Sequence, residues 1–397
     1  MSAETTTRME TYADRTDGAP TPGAADGHAG ARGPGGQIPG PSIGPLTLRN
    51  PFILAPMAGV TDLPYRRLCW EAGAGGAVSE MASAVALAHR GRQTLAMLAT
   101  DRDVERPFWV QLFGKDPASL AGAVRTTVLE AGADVVDLNC ACPARKVVSS
   151  GHGGALLKDP DLCCRLVEAM AGAADVPVTV KLRPGFRAED GPMVLDLGPR
   201  LEAAGAGALI LHGRYVSERF GGRADWSLVE RLARAVKIPV VGSGDIQDAR
   251  TAVFLLKKHN LAGVMLGRAT RGRPWLFREC LGELKGLPVP PPGWEERRDA
   301  ALRHARLLEQ QTGPKACYRL RSILMWYTRG LPGAARLRAG ICREESVDRQ
   351  LEMFAEAVDE ALARGADPRP GAEAGEDLAP GGFPEADGDF FPDGTET

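Results

Sequence analysis

Several absences narrow the reading of this chain. Its eight cysteines, spread over 397 residues, form no Cys-x-x-Cys pair. That argues against a disulfide framework and for a reduced, cytoplasmic setting. Cys140-Ala141-Cys142 has no further ligands at metal-binding spacing, so no metal is expected. No apolar run approaches the roughly 20 residues of a spanning helix, so no membrane association is expected. The first residues lack an apolar segment with a cleavage site, and Glu4, Glu10, Asp14 and Asp17 argue against a transit peptide. No Gly-x-Gly-x-x-Gly follows the first strand-like run, which disfavours a doubly wound dinucleotide fold. Net charge is nearly absent as well, at −2, and alone predicts no partner.

The even balance conceals two opposed segments. Between residues 301 and 343 nine cations face a single acid, Glu309. Between 366 and 397 nine acids face a single cation, Arg369. An acidic tail thus masks a basic module in the total. Residues 1–42, rich in Gly, Ala, Pro, Thr and Asp, and the tail 366–397 carry few large apolar side chains. Neither can bury enough surface to offset the entropy of ordering, so both are read as disordered.

Between them runs a regular alternation. Near-continuous apolar segments occur at 52–57, 77–81, 108–113, 135–140, 178–183, 208–213, 240–245 and 263–268, as expected of strands buried on both faces. Helix-period stretches fill most intervals, with Asp116, Asp196, Ser227 and Asp248 as N-caps. Ala-Gly-Ala at 72–74, 131–133 and 204–206 places a glycine where a helix ends left-handed. Eight βα units over roughly 220 residues match a (β/α)8 TIM barrel, assigned to 43–290. Beyond Trp275 the period changes. Leu320, Ile323, Leu324 and Tyr327 form one helical stripe, and Leu351, Phe354, Val358 and Leu362 another. Residues 294–364 are read as a small all-helical domain.

In such a barrel the chemistry gathers at the C-terminal strand ends. In order these carry Pro56-Met57-Ala58, Glu80, Gln111, Asn139 with Cys142, Lys181 with Arg183, His212 with Arg214, Ser243-Gly244-Asp245 and Gly267-Arg268. So many polar groups fit a core-only explanation poorly, because buried charges without partners are costly. Cys142, held beside an amide and before Pro143, is a candidate proton donor or nucleophile. Ser243-Gly244-Asp245 and Gly267-Arg268 follow strands seven and eight, where barrels commonly bind phosphate; plain tight turns are the alternative. Lys181 has three readings: a Schiff-base amine, a fixed charge beside a cofactor, or a partner for Asp137 or Glu80. His212 is either a hydrogen-bonded structural residue or, from its strand-end position, a functional one.

With these residues assembled, the chain resembles the tRNA-dihydrouridine synthases of the bacterial B type, over roughly residues 43–354. The likeness rests on Ala55-Pro56-Met57-Ala58-Gly59-Val60-Thr61-Asp62, Ser79-Glu80-Met81, Asn139-x-x-Cys142-Pro143-Ala144-x-Lys146 and Lys181-x-Arg183-x-Gly185. It also rests on His212-Gly213-Arg214 and Gly267-Arg268-Ala269-x-x-Gly272-x-Pro274-Trp275. Ala141 and Ser243 depart from the family's usual Gly and Asn. The resemblance implies an FMN barrel that uses NADPH to reduce a specific tRNA uridine to 5,6-dihydrouridine, and a monomer is expected. It implies that Pro56, Met57 and Ala58 line the flavin and that Gln111, Lys181 and His212 contact it. Ser243, Gly244, Asp245, Gly267 and Arg268 would hold its phosphate. Cys142 would be the proton donor, with Asn139, Arg183 and Arg214 at the uracil.

The basic helical segment suits that role, because cations follow phosphates and aromatics stack on bases. Lys315, Arg319, Arg321 and Arg329 are assigned to tRNA. Tyr318, Trp326 and Tyr327 interleave with them, and Trp326 and Tyr327 are assigned to the core. Three other readings compete: an FMN barrel acting on a small enone or pyrimidine, an aldolase using Lys181, and a catalytically silent tRNA-binding homologue.

Overall fold

The computed structural model describes residues 39–287 and 289–368. The expected N-terminal extension, up to residue 38, and the acidic tail from 369 lie outside the described residues. The chain enters through a short antiparallel ladder, β1 (Ser42–Ile43) with β2 (Leu46–Thr47). Eight parallel strands follow: β3 (Phe52–Leu54), β4 (Gly76–Ser83), β5 (Trp109–Phe113), β6 (Val135–Cys140), β7 (Val178–Leu182), β8 (Ala206–His212), β9 (Val240–Ser243) and β10 (Gly263–Leu266). They close into a barrel when β10 pairs with β3. Each of the eight apolar runs in the sequence supplies one of these strands. No helix among the described residues is long and apolar enough to cross a membrane.

Strand alternation divides the core in two. Ile53, Val78, Trp109, Ile210, Val241 and Met265 point inward and pack with Ile43 and Leu48, which come from the entry ladder and the turn after it. Those two side chains plug the end where the strands begin: a Cβ on Gly207 would lie 3.6 Å from Ile43. The outward residues, such as Phe52, Val110, Leu138 and Leu209, pack under the surrounding helices. Asp116 and Asp248 cap their helices as expected, accepting from Ser119 and Thr251 N–H. Two caps differ. The helix Trp226–Ala235 is capped by Asp225, whose carboxylate accepts from the N–H of Ser227, and the helix Val194–Ala203 places Asp196 in its first turn. A carboxylate two residues earlier outcompetes the shorter Ser227 hydroxyl, and an acid within the first turn still favours the helix dipole.

After the helix Leu276–Lys285, four helices, Trp294–Thr312, Ala316–Tyr327, Ala334–Arg343 and Val347–Ala363, form the C-terminal region. They dock on the Leu63–Glu71 helix and on the loop after β10. Tyr65 packs on His304 and Trp326 at centroid distances of 5.2 and 6.2 Å, and its hydroxyl donates to the Thr270 carbonyl. Trp326 and Tyr327 are buried, in line with their core assignment. The contact explains Gly272. Its φ is +65°, and a Cβ there would stand 2.5 Å from the Trp326 backbone.

Gly272→Ala and Gly286→Ala separate backbone strain from packing. Gly286 shares a left-handed φ, +70°, but has open space around it. Both variants carry strain on the order of 1 kcal/mol. Gly272→Ala loses about a further 1–3 kcal/mol from overpacking. Denaturant unfolding measures the pair, and equal destabilisation would show that the Trp326 contact does not matter.

Candidate active site

The same alternation aims the polar residues. Gln111, Asp137, Asn139, Thr179, Lys181, His212 and Ser243 keep the inward parity of Trp109, Val135, Ala208 and Val241. Most of those named from the sequence meet in one cavity of about 1000 Å³ at the C-terminal end of the barrel. It is lined by Pro56, Met57, Ala58, Gln111, Asn139, Cys142, Lys181, Arg183, His212, Arg214, Ser243, Gly244, Asp245, Gly267 and Arg268. Glu80 does not join them. The β4–β5 register shifts between Val78 and Met81, so the alternation skips one place and Met81 lines the cavity instead. Glu80 accepts from the Gly59 N–H. Cys140 keeps outward parity and is packed in the outer core, which separates it from Cys142.

Cys142 stands just past β6, on a loop tied to the strand below. Asn139 Oδ1 accepts from the N–H groups of Ala141 and Cys142 at 3.1 and 2.9 Å. Asn139 Nδ2 donates to Gln111 Oε1 at 2.9 Å, and Gln111 Nε2 to Asp137 Oδ2 at 2.8 Å. Ala141 keeps a negative φ, so the loop does not demand the family's usual glycine there. Ser243, likewise a departure, donates to the Met265 carbonyl at 3.3 Å.

The two arginines at the mouth brace loops. Arg183 donates to the Ala141, Tyr215 and Arg219 carbonyls at 2.8, 2.9 and 2.9 Å, joining the ends of β6, β7 and β8. Arg214 donates to the Gly221 and Gly222 carbonyls, both at 2.8 Å, and pairs with Asp245 at 2.6 Å. Asp245 also accepts from the Ala224 N–H, so its carboxylate is a loop anchor. Gly244 is obligatory: at φ +116° a Cβ would stand 2.6 Å from His212 and 2.7 Å from Ala224.

Burial dominates the titration of the site. It lowers Lys181 to about 8, with Arg183 adding to the effect and Asp137 opposing it. Burial and four neighbouring cations push His212 well below its usual range, so the ring is neutral. Burial raises Cys142, outweighing the Ala144 N–H, Arg183 and Lys181, so the thiol is protonated at neutral pH. Asp137 is raised to about 7 by burial, against the Thr179 and Gln111 hydrogen bonds and Lys181. Among the described residues, no group of three or more His, Cys, Asp or Glu could hold a metal.

Three features stand outside the strand-end set, Asp137 having been named only as a possible charge partner of Lys181. Asp137 and Thr179 lie deeper in the barrel, although an acid inside an apolar strand was itself a visible signal. Phe220, 42% exposed, sits at the rim with the Arg268 guanidinium 4.9 Å from its ring centre; nothing in its sequence context marked it. The expected RNA contacts divide. Lys315 is exposed, and Tyr318, 58% exposed, carries the Arg321 guanidinium 5.1 Å over its ring. Arg319 instead pairs with buried Asp62 at 2.7 Å, linking the helical region to the barrel. Arg329 is half-buried beside Arg271 and Trp326.

Residues 53–364 match the model of the dihydrouridine synthase (Dus) family. Over 325 residues the chain is 37% identical to tRNA-dihydrouridine synthase B of Xanthomonas campestris, covering 81% of this chain and 96% of that protein. It is 38% identical over 320 residues to tRNA-dihydrouridine synthase B of Pseudomonas aeruginosa, covering 79% and 96%. A probable tRNA-dihydrouridine synthase of Mycobacterium tuberculosis is 37% identical over 373 residues, covering 89% and 95%.

The raised thiol sets an expectation for chemical labelling. A free cysteine titrates at about 8.5, so the pH midpoint for alkylation of Cys142 lies above that value. Iodoacetamide labelling across pH, followed by peptide mass spectrometry, reads the midpoint independently of accessibility. A midpoint below that of a free thiol would mean that the cations outweigh burial.

Proposed function

The chain belongs to the dihydrouridine synthase family, and from that membership we infer that it reduces a uridine of tRNA to dihydrouridine, an oxidoreductase step on a CH–CH bond. FMN is the cofactor we propose for the cavity, NADPH the reductant, and the cytoplasm the setting, with the enzyme acting as a monomer. The cavity's size is in the range of small-molecule and cofactor sites. Its donors suit a flat, amide-bearing ring with a phosphate: two amides, a cationic lysine, a neutral imidazole, and a glycine whose Cβ would collide with that imidazole. Pro56, Met57 and Ala58 would line the ring, and Gln111, Lys181 and His212 would contact it. Ser243, Gly244, Gly267 and Arg268 would cradle the phosphate, with Asp245 joining through its main chain because its carboxylate is already paired.

The chemistry a bound flavin supplies is hydride delivery to C6 of the uracil. Cys142 then gives its proton to C5, a role that requires the thiol form. Lys181 holds a positive charge near the developing negative charge in a partly dry site. Asn139, Arg183 and Arg214 would face the base. With donors already on loop carbonyls, and on Asp245 for Arg214, the arginines would act through shape and charge. A uridine in folded tRNA must leave its stack to reach so deep a site. The observation that carries the reading is the placement of Cys142 on a braced loop, at the rim of a cavity lined by cations and amides.

The test begins with a visible spectrum of the purified protein. Flavin bands are expected, bleaching with NADPH under anaerobic conditions and returning when unmodified tRNA is added. Cys142→Ala should keep the bands and the bleaching but lose about 100-fold or more of the tRNA-dependent step. A protein that takes up no flavin when FMN is supplied would remove the reading.

The helical region adds a second expectation. Lys315→Ala should reduce the slope of log tRNA affinity against log salt by about 1. Arg319→Ala should instead lower the melting temperature, because its guanidinium is committed to Asp62. Binding titrations at several salt concentrations and a thermal melt distinguish the two; a Lys315→Ala slope equal to wild type would deny that residue a phosphate contact.

A further inference from the structure

Beneath the cavity floor lies a chain of hydrogen bonds whose direction is fixed at its lower end. Asp137 on β6 stands in register with Gln111 of β5 and Thr179 of β7 and is buried between them. Both carboxylate oxygens accept here, the pattern of the ionised form, which accepts and never donates. Its Oδ1 takes the Thr179 hydroxyl at 2.6 Å, and its Oδ2 takes Gln111 Nε2 at 2.8 Å. Trp109 Nε1 donates to Thr179 Oγ1 at 3.2 Å, which leaves that hydroxyl's proton for Asp137. With its NH2 committed downward, Gln111 presents Oε1 upward, where Asn139 Nδ2 donates at 2.9 Å. Asn139 then has its carbonyl for the loop, and Oδ1 receives the Ala141 and Cys142 N–H groups.

From this geometry we propose that Asp137 is a positioning residue for Cys142: as the acceptor-only end of the chain it sets which way the Gln111 and Asn139 amides face, and so holds the Cys142 loop at the cavity rim. An amide at position 137 has no such polarity. Its NH2 can donate to Gln111 Oε1, and Gln111 then offers Nε2 upward. Asn139 turns its carbonyl down to receive it and leaves its own NH2 facing the N–H groups of Ala141 and Cys142. Two donors meeting leave buried polar groups unsatisfied, so the loop must move. The proposal deepens the functional reading and depends on it only for the rate measurement below.

The test uses the full-length, flavin-loaded protein at a pH above the Asp137 value of about 7, where the group is ionised. In Asp137→Asn the alkylation rate of Cys142 is expected to change by about tenfold, since small displacements of a reacting group have effects of that size. The tRNA-dependent step should slow by at least about tenfold. The double variant Asp137→Asn, Gln111→Glu moves the acceptor-only group one place up. The new carboxylate accepts from the amides on both sides, so the Asn139 carbonyl returns to the loop and Cys142 alkylation returns toward wild type. An unchanged alkylation rate in Asp137→Asn, or a double variant no nearer wild type than the single one, overturns the proposal. If Asp137→Asn does not fold, Gln111→Leu cuts the chain above the carboxylate, and unchanged alkylation at equal flavin occupancy overturns it equally. A wild-type protein that does not turn over tRNA overturns the functional reading alone, because the alkylation comparison needs no turnover.

Discussion

In a closed parallel barrel every second side chain must point inward, and a one-residue slip in any strand exchanges the whole set. The site of this protein depends on that parity. In β6 it sends Asp137 and Asn139 into the barrel and Leu138 and Cys140 under the helices. The pairing Gln111 with Asp137 with Thr179, and Asn139 with Lys181, places polar groups from three strands side by side. Their hydrogen bonds follow the register of the sheet, so the stability of the barrel and the geometry of the site are one set of constraints. The β4 irregularity shows the rule from the other side: the shift between Val78 and Met81 exchanges a carboxylate for a thioether at the cavity wall.

Above the strands, order comes from guanidinium groups binding carbonyls. Arg183 and Arg214 tie loops that have no strand or helix to satisfy their backbone, and buried carbonyls without partners would be expensive. This gives the loops fixed shapes and leaves positive charge at the mouth as a by-product. That charge is useful to a site that handles phosphates, and it accounts for part of the neutrality of His212. At the other margin, Arg319 joins Asp62, the N-cap of the Leu63–Glu71 helix, so the helical region is fastened beside the loop that carries Met57 and Ala58.

Much of this was legible in the sequence. The strands were readable because strands buried on both faces leave long apolar runs, and the cavity because its residues stand where those runs end. What could not be read depends on which partner a side chain finds. Arg183 and Arg319 look alike as exposed cations in a sequence, yet one holds carbonyls and the other a buried carboxylate from a segment over 250 residues away. The cap at Asp225 was hidden because Ser227 is an equally plausible capping residue, and two residues decide it by reach. Glu80 leaves the expected parity because a bulge is a property of two strands, which a single run of residues does not show.

The titration pattern of the site follows from one environment acting on groups of opposite kind. Burial disfavours charge of either sign, whereas the surrounding cations favour negative charge and disfavour positive. For Lys181 and His212 the two effects add, which is why both fall. For Cys142 they oppose, and burial prevails, so the thiol keeps its proton in the presence of Arg183 and Lys181. A more exposed thiol beside the same cations would lean toward thiolate, a nucleophile with no proton to give. The Asp137 charge works the other way, raising Lys181 against its burial. The lysine at about 8 therefore remains largely protonated at neutral pH. The same carboxylate, held between Thr179 and Gln111, is raised to about 7 by its burial, so its negative charge beside Lys181 grows as pH rises through that value.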